Sequence, residues 1–489
     1  MALSIGLAIV RPKRHRLGYG LMMTAAVIIT AGSLFTANVF ANVKHFTDGI
    51  ANGIKDVTIT YLIIAPLPPN MTNPDAIGQP SGQTSTPGTT TSTTTPTTKQ
   101  PTTASTHPTE TTSASSTTSP HEQPRTPHTS LEQLTNANIG ILLSDPNYKK
   151  ATKILNNLVT ANVVNLNAAS DVTVAMSNNT IQGACIDRSI YRLWAEYNPE
   201  FFASIEVIKT FEMKITPDPP TPDSSDPATP FVIYISGIDT MEGLDEVGRS
   251  DSNMLFAVNP TTGHIALINT PRDYYVQLHD TSGYPDKLTH SGVYGIDMSV
   301  GTIEDLYDVE IDYWIRINFA SVVDIVNAVG GIDVNVALAF RCYAGAYDWD
   351  GYDFHTGLTH MDGSQALCFS RERKAFEDGD RQRGKNQQAV IEALIEKLSR
   401  PSILLNYNAV LNALAPNMQT TMPSERITSL ARRQLDLGTD WSITEYSVTG
   451  SDAYRPSYSL GAREVYVMLP DWGTVSEAKK LLTDVLSGR

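Results

Sequence analysis

Residues 231–268 read FVIYISGIDTMEGLDEVGRSDSNMLFAVNPTTGHIALI, and this stretch decides the fold class of the most informative region. It opens with a continuous apolar run, FVIYI, which is typical of a buried strand. Two further apolar runs, 254–258 and 264–268, flank the five-residue segment NPTTG, which predicts a hairpin loop. The stretch therefore predicts one strand followed by a β-hairpin.

Apolar residues further along recur at helical spacing. One helix face, ended by Gly330-Gly331, is formed by Phe319, Val322, Val326 and Val329. A strand at 332–336 follows, and a second helix is lined by Gln387, Ile391, Leu394, Ile395 and Leu398. Because strands and helices intermix, residues 231–401 predict a three-layer α/β/α domain, and 402–489 a C-terminal α/β extension with strand 465–469 and helix 474–486.

Composition excludes several classes of protein. The chain has 489 residues, of which 41% are hydrophobic, enough for more than one folded core. Its 36 basic and 51 acidic residues give a net charge of −15, which disfavours non-specific binding to nucleic acid. The 3 cysteines form no CxxC or Cys/His cluster, so structural zinc, iron–sulfur and haem-c sites are excluded.

The amino-terminal residues predict a membrane anchor. A basic tail at 1–16 precedes an uncharged apolar stretch at 17–41 that is long enough to span a bilayer. Because basic residues flank the amino-terminal end of this stretch, the amino terminus is expected in the cytoplasm and the chain after residue 41 outside the membrane. A signal peptide cleaved after Ala41 is the alternative, and it exports the same residues.

Two segments poor in apolar residues divide the exported chain. Residues 42–130 predict a juxtamembrane segment and a Thr/Ser/Pro-rich linker, either an O-glycosylated stalk or a plain tether, and its apolar run 57–67 is too short to span. A Pro-rich linker at 217–230 follows a smaller α/β domain at 131–216. In that domain we predict strands at 139–143, 172–176 and 205–208, and helices at 149–158 and 189–197.

Acidic and basic residues in 231–401 predict a phosphate site. Asp239 follows the first strand and Asp251 follows Arg249-Ser250, positions that suit Mg²⁺ shared between carboxylates and substrate phosphates. Arginine recognises phosphate oxygens with a fork of donors. Six residues could take part: Arg249, Arg272, Arg371, Arg373, Arg383 and Gln387. On a strand, Arg371 and Arg373 would share one face.

Three blocks of sequence resemble the LytR-CpsA-Psr domain. They are YISGIDTMEGLDEVGRSDSNMLFAVNPTTGHIALINTPRDYYV at 234–276, DKLTHSGVYGIDMSVGTIEDLYDVEIDYWIRINFASVVDIVNAVGGIDV at 286–334, and ALCFSRERKAFEDGDRQRGKNQQAVIEALIEKL at 366–398. Residues 131–216, especially IQGACIDRSIYRLWAEYNP at 181–199, resemble the accessory domain that precedes this module in the CpsA branch.

The resemblance implies a membrane-anchored enzyme whose catalytic domain lies outside the cell. Family members transfer an anionic glycopolymer, such as capsular polysaccharide or wall teichoic acid, from a polyprenyl-pyrophosphate carrier to peptidoglycan, with the C6 hydroxyl of N-acetylmuramic acid as acceptor. It implies that Asp239 and Asp251 bind Mg²⁺ and that the six residues above bind pyrophosphate. It also implies a hydrophobic groove for the lipid tail, and the apolar helix from Phe319 to Val329 is a candidate wall of that groove. Many members have Arg-Gln-Gln where this chain has Asn386-Gln387-Gln388.

Several questions stay open at this point. Either Asp273, beside Arg272, or Asp251 could accept the proton of the sugar hydroxyl. A non-catalytic lipid-carrier or wall-binding protein, and a lipid-pyrophosphate hydrolase, are the alternative functions. A transcriptional regulator is excluded because the domain lies outside the membrane. Since exported thiols tend to oxidise, we predict a disulfide between Cys342 and Cys368 rather than two buried thiols.

Overall fold

The computed structural model of the protein describes residues 57–67, 130–215, 226–238, 244, 247–342, 351–377, 379–399, 418–438 and 441–489. The predicted membrane anchor at 17–41 and most of the Thr/Ser/Pro-rich linker lie outside these residues. Within the described ranges, no helix is both long enough and apolar enough to cross a bilayer.

Strands and helices alternate through the described chain, which gives the mixed α/β class that the sequence predicts. The strands are β1 (Val57–Pro66), β2 (Asn138–Leu142), β3 (Asn162–Leu166), β4 (Gly183–Asp187), β5 (Ile205–Ile215), β6 (Phe231–Ile238), β7 (Ser250–Asn259), β8 (His264–Thr270), β9 (Tyr275–Val276), β10 (Asp286–Lys287), β11 (Tyr313–Asn318), β12 (Ile332–Val336), β13 (Phe340–Cys342), β14 (Tyr352–Phe354), β15 (Gly357–Met361), β16 (Met418–Thr420), β17 (Ser442–Ser447), β18 (Gly450–Ser457) and β19 (Gly461–Pro470). The α-helices are α1 (Tyr148–Leu158), α2 (Ala169–Ser177), α3 (Arg188–Tyr197), α4 (Pro199–Ala203), α5 (Leu288–Ser291), α6 (Ile296–Tyr307), α7 (Phe319–Ala328), α8 (Gly363–Arg371), α9 (Asp380–Ser399), α10 (Ser424–Leu437) and α11 (Trp472–Leu486).

The accessory domain is built on a five-stranded sheet in the order β3-β2-β4-β1-β5. β1 runs antiparallel to both of its neighbours, β4 and β5. The apolar run 57–67, which we expected in the juxtamembrane segment, therefore belongs to this sheet. The reason is physical: Tyr61 and Ile63 pack into the core on one face of the sheet, whereas Leu62 and Ile64 pack into the core on the other.

Residues 172–176 form part of helix α2 instead of the predicted strand. Their sequence, VTVAM, is rich in the β-branched residues that favour strands. In the structure Ala169, Val172, Ala175 and Met176 are buried together, and their spacing of three and four residues is that of one helix face. Burial of this face in the accessory core overrides the local strand preference.

The catalytic domain is built on a six-stranded sheet in the order β16-β11-β6-β7-β8-β17. Alternate residues of β6 and β7 point to opposite faces. Val232 and Leu255 pack with α6 and α11, whereas Phe231 and Phe256 pack with α9 and α10. β7 and β8 pair antiparallel, as the hairpin prediction required. The sheet thus lies between two helical layers.

The carboxy-terminal residues complete this domain instead of extending it. β16 and β17 form the two edges of the central sheet, and β17 runs parallel to β8. Val475 and Leu482 of α11 are buried in the core beneath that sheet. Without β17 the backbone of β8 would present an unpaired edge, so the predicted boundary at residue 402 does not separate two folding units.

A smaller cluster beside the central sheet joins α7, α8, α9 and β12 to β15. The helix from Phe319 to Val329 is the candidate wall of the lipid groove, and its Val326 and Val329 are buried here among the protein's own side chains. Cys342 of β13 is disulfide-bonded to Cys368 of α8, with their Cα atoms 6.1 Å apart, so the predicted bridge is confirmed. Cys185 is a buried free thiol in the accessory domain.

Candidate active site

The candidate site forms around Asp251, where β7, the segment after β8, and helices α5 and α9 meet. Asp251 is buried near the start of β7. Its Oδ2 lies 2.6 Å from Nη1 of Arg272, and its Oδ1 accepts a hydrogen bond of 2.7 Å from the Thr289 hydroxyl. Both carboxylate oxygens are therefore held by side chains from other elements.

The electrostatic environment keeps Asp251 ionised. Burial disfavours the charged carboxylate and by itself would raise the pKa. The charges of Arg272, Arg249 and Arg383, with the hydrogen bond from Thr289, outweigh burial and hold the pKa of Asp251 well below its ordinary value. A buried, ionised acid beside several guanidinium groups makes this the candidate functional site of the described residues.

Buried hydrogen bonds fix the start of β7 against β6. The Tyr234 hydroxyl donates to Oδ1 of Asn253 over 2.6 Å, and Nδ2 of Asn253 donates to the Ser250 carbonyl over 3.0 Å. Gly292 packs against the same strand end, where a Cβ would lie 2.5 Å from both the Gly248 oxygen and the Ser250 nitrogen. Only glycine permits this close approach, and it brings α5 beside Asp251.

Arg272 and Asp273 are positioned by pairing with the segment that enters α5. The Thr289 amide donates to the Arg272 carbonyl over 2.8 Å, so Thr289 holds both Arg272 and Asp251. Nζ of Lys287 lies 2.9 Å from Oδ1 of Asp273 and 5.6 Å from the ring centroid of Tyr466. The structure therefore brings Arg272 and Asp273 to the site and gives Asp273 a cationic partner.

Helix α9 brings Arg383 to the same place. A Cβ on Gly384 would fall 2.4 Å from Nδ2 of Asn269, so a larger residue would displace the Asn269 side chain from its place between α9 and β8. Nη2 of Arg383 lies 3.5 Å from the backbone oxygen of Asp251. Gln387 is half-buried one helical turn further along the same helix.

Arg371 and Arg373 do not lie on a strand, contrary to prediction. Helix α8 ends at Arg371, and the chain then turns. Buried Glu372 organises this turn, because its Oε1 accepts hydrogen bonds from the backbone amides of Arg373, Lys374 and Ala375 over 2.9, 2.7 and 3.1 Å. The Glu372 carboxylate therefore shapes the backbone between Arg371 and Arg373.

Asn386, which stands where many members of the resembled family have arginine, has a structural role in this protein. Asn386 is buried, and its Nδ2 donates over 3.1 Å to the Phe369 carbonyl in the last turn of α8. Its Oδ1 accepts a hydrogen bond of 3.0 Å from Gln382. Asn386 thus fastens α9, which carries Arg383, to α8, which ends in Arg371.

Arg249 lies at the border with the accessory domain. Its Nη1 is 2.9 Å from Oε2 of Glu196 in α3. Arg249 also contributes to the lowered pKa of Asp251, so its charge acts on both acids.

The predicted Mg²⁺ site is only partly described. Asp239 lies outside the described residues, and within them no group of three or more His, Cys, Asp or Glu is placed to hold a metal ion. Asp251 keeps lone pairs beyond those used by Arg272 and Thr289. Because Mg²⁺ commonly takes one or two carboxylates and completes its shell with substrate phosphates and water, an ionised Asp251 fits that role.

Sequence reasoning missed the residues that hold the site together. Thr289 and Lys287 contact site residues from another segment, and Glu196 does so from another domain. Glu372 acts locally, on the turn that carries Arg373. The THS motif after Lys287 lies within the second block of resemblance, which was the available signal for Thr289. No comparable signal in the sequence pairs Glu196 with Arg249.

Comparison with known proteins defines the class. Residues 204–468, more than half of the chain, match the LytR_cpsA_psr family. The protein therefore belongs to the LytR_cpsA_psr family.

Curated relatives share part of this chain. A polyisoprenyl-teichoic acid–peptidoglycan teichoic acid transferase TagU of Enterococcus faecalis is 36% identical over 204 residues, covering 41% of this chain and 65% of the relative. The TagU of Bacillus cereus is 36% identical over 208 residues, covering 42% of this chain and 65% of the relative. The chain thus spans slightly less than two thirds of the length of these relatives. The crystal structure of B. subtilis TagV is 29% identical, with a TM-score of 0.45 over 53% of this chain and 98% of that chain.

Proposed function

We propose that this protein transfers an anionic glycopolymer from a polyprenyl-pyrophosphate carrier to peptidoglycan, in cell-wall biogenesis. The observation that carries the proposal is the buried carboxylate of Asp251, kept ionised by Arg272, Arg249 and Arg383. Such a cluster suits a pyrophosphate, whose oxygens accept the forked donors of arginine. The TagU relatives are named for teichoic acid transfer to peptidoglycan, which supports this substrate class.

The reaction would proceed by phosphoryl transfer. A peptidoglycan hydroxyl oxygen attacks the phosphorus next to the glycan and forms a phosphodiester. The bond from that phosphorus to the bridging oxygen breaks, and polyprenyl phosphate leaves with the electron pair. This chemistry asks the protein mainly for positioning and charge stabilisation. Arg272 and Arg383 would bind the pyrophosphate oxygens, while Asp251 fixes the orientation of Arg272 through their 2.6 Å contact.

The proton of the attacking hydroxyl needs an acceptor. The lowered pKa of Asp251 makes its carboxylate a weak base, which favours an electrostatic role. Asp273 is the other acid at the site, with its carboxylate beside Arg272 and held by Lys287, and we assign the proton to it on this position.

Mg²⁺ is part of the proposal, with Asp251 and Asp239 as its protein ligands. When bound, the ion would neutralise charge on the pyrophosphate. The proposed location is the outer face of the cell membrane, with one helix at 17–41 as the anchor and a cytoplasmic amino terminus. No nucleic acid partner is proposed, since the net charge is −15.

The test uses the full-length protein in detergent with Mg²⁺, a synthetic polyprenyl-pyrophosphate-linked glycan and peptidoglycan oligomers. Mass spectrometry should detect peptidoglycan coupled to the glycan through a phosphodiester, together with released polyprenyl phosphate. Glycan phosphate without coupled product would instead identify a hydrolase. Donor binding with neither product would identify a binding protein.

A further inference from the structure

The accessory and catalytic domains share one hydrophobic core. Ile190 and Trp194 of helix α3, in the accessory domain, are buried in the same cluster as Val293, Leu460 and Val467 of the catalytic domain. The two domains therefore meet through a packed apolar interface, and α3 lies at that interface.

Helix α3 also makes two polar contacts with the segment that leads into β7. The Ser189 hydroxyl donates to the Val247 carbonyl over 2.9 Å, and the Glu196 carboxylate pairs with Arg249 at 2.9 Å. Ser189 and Glu196 lie near opposite ends of the helix, so α3 holds this short segment at two points. The segment ends next to Ser250 and Asp251.

Helix α3 is itself firmly placed. The carboxylate of Asp187 caps its first turn by accepting hydrogen bonds from the amides of Ser189 and Ile190 over 2.6 and 3.3 Å. Trp194 packs against Phe201 and Phe202, with ring centroids 4.7 and 4.9 Å away. Glu196 is therefore presented from a rigid support, as a positioning residue requires.

Arg249 needs such support because it lies outside any strand or helix. A free arginine side chain samples many rotamers, and fixing it costs conformational entropy. Glu196 engages Nη1 of Arg249, and the charge of Arg249 also contributes to the lowered pKa of Asp251. The guanidinium group is thus held by the accessory domain, on a residue that lies two positions before Asp251 in the chain.

We propose that the accessory domain is a functional part of the active site, and that Glu196 is the positioning residue through which it orients Arg249 toward the donor pyrophosphate. This inference rests on the proposed function of the site. Glu196 acts only through Arg249 and does not itself contact the reacting atoms.

A double-mutant cycle in the full-length protein tests the proposal. Glu196→Gln removes the charge but keeps the shape of the side chain, and Glu200→Gln, an exposed position in the same domain, is the matched control. We expect Glu196→Gln to raise the donor KM and the Kd for glycan-free polyprenyl pyrophosphate about fivefold, with the melting temperature unchanged. Glu200→Gln should change neither constant.

The second arm of the cycle uses Arg249→Ala. If Glu196 acts through Arg249, Glu196→Gln should have almost no further effect once Arg249 is gone. An equal loss in both backgrounds, or no loss in the wild-type background, would overturn the inference. Binding of polyprenyl pyrophosphate distinguishes the failure of the proposed function from the failure of this inference. If the wild-type protein does not bind it, the proposed function is contradicted. If the wild-type protein binds it and Glu196→Gln binds it equally well, only the role of the accessory domain is contradicted.

Discussion

The catalytic and accessory domains both bury aspartates, but the pKa is lowered in the catalytic domain and raised in the accessory domain. Asp251 in the catalytic domain lies among arginines, and its pKa is held well below the ordinary value. Asp145 and Asp187 in the accessory domain are buried as deeply, and burial raises their pKa values to about 6 and about 7. The charge of Asp145 further raises the pKa of Asp187.

The difference lies in the hydrogen-bonding partners. Asp145 accepts hydrogen bonds from the Tyr61 hydroxyl and the Asn147 amide, and Asp187 from the amides at the start of α3. Such neutral donors suit a structural carboxyl. Each of them gives its hydrogen bond to the carboxylate and carries no net charge that could attract a further anion. The guanidinium groups around Asp251 carry charge that can also meet an incoming anion. Burial alone does not identify the functional acid; its cationic neighbours do.

Replacing the acid in the cationic cluster should have the largest effect. Asp251→Asn keeps the size of the side chain but removes the charge that orients Arg272, and we expect transfer to fall by roughly a thousandfold. Since Asp251 is buried, removing its charge also breaks the 2.6 Å ion pair with Arg272 and should lower stability. Product formation and thermal unfolding measure the two effects. Glu464→Gln, at an exposed position of β19, should change neither, and near-normal transfer by Asp251→Asn would refute its role.

Reducing the disulfide should affect the catalytic half of the molecule selectively. Cys342 and Cys368 are separated by 26 residues, and a bridge across a loop of this order contributes about 3 kcal/mol to stability. The Cys342→Ser/Cys368→Ser variant should therefore unfold more easily in the region of α8, which ends at Arg371. Hydrogen exchange measures the two domains separately. We expect faster amide exchange only in the catalytic domain, and an equal increase of the exchange rate in both domains would contradict a local stabilising role of the disulfide.

Asp187 of the accessory domain, whose pKa is raised where that of Asp251 is lowered, should make the stability of the protein depend on pH. A carboxyl whose pKa is raised on folding contributes stability at acid pH, and that contribution is lost as the pH rises through its folded pKa, here about 7 for Asp187. Asp187→Asn keeps an acceptor for the helix cap and should increase the free energy of unfolding by about 2 kcal/mol at pH 8. Unfolding at pH 8 and pH 4 checks this. A stabilisation that is the same at both pH values would contradict the raised pKa.

The smallest effect is expected from the turn between Arg371 and Arg373. Glu372→Gln keeps an acceptor oxygen but weakens three hydrogen bonds to backbone amides, since the carboxylate charge is lost. We expect the donor KM to rise about threefold with kcat little changed. Glu377→Gln, exposed in the same segment, is the control, and equal kinetics in the two variants would show that Glu372 does not position the arginines.

Sequence patterns predicted the helices and strands better than the pairing and packing between them. The β7–β8 hairpin and helices α7, α9 and α11 follow from apolar spacing that each segment carries alone. The partner of β1 could not be predicted in this way, because its neighbours β4 and β5 lie far away in sequence. The same holds for the site: Asp251, Arg272 and Arg383 were named from residue type, whereas Thr289 and Glu196 act through contacts that only the fold creates.

The central claim is that the arginines around Asp251 form a pyrophosphate site. Isothermal titration of full-length protein with polyprenyl pyrophosphate tests it most directly, comparing wild type with Arg272→Lys and with Arg489→Lys at the exposed carboxy terminus. Lysine keeps the charge but loses the forked contact, so Arg272→Lys should weaken binding at least about tenfold, while Arg489→Lys should bind as wild type does. Equal affinity in all three proteins would contradict the account.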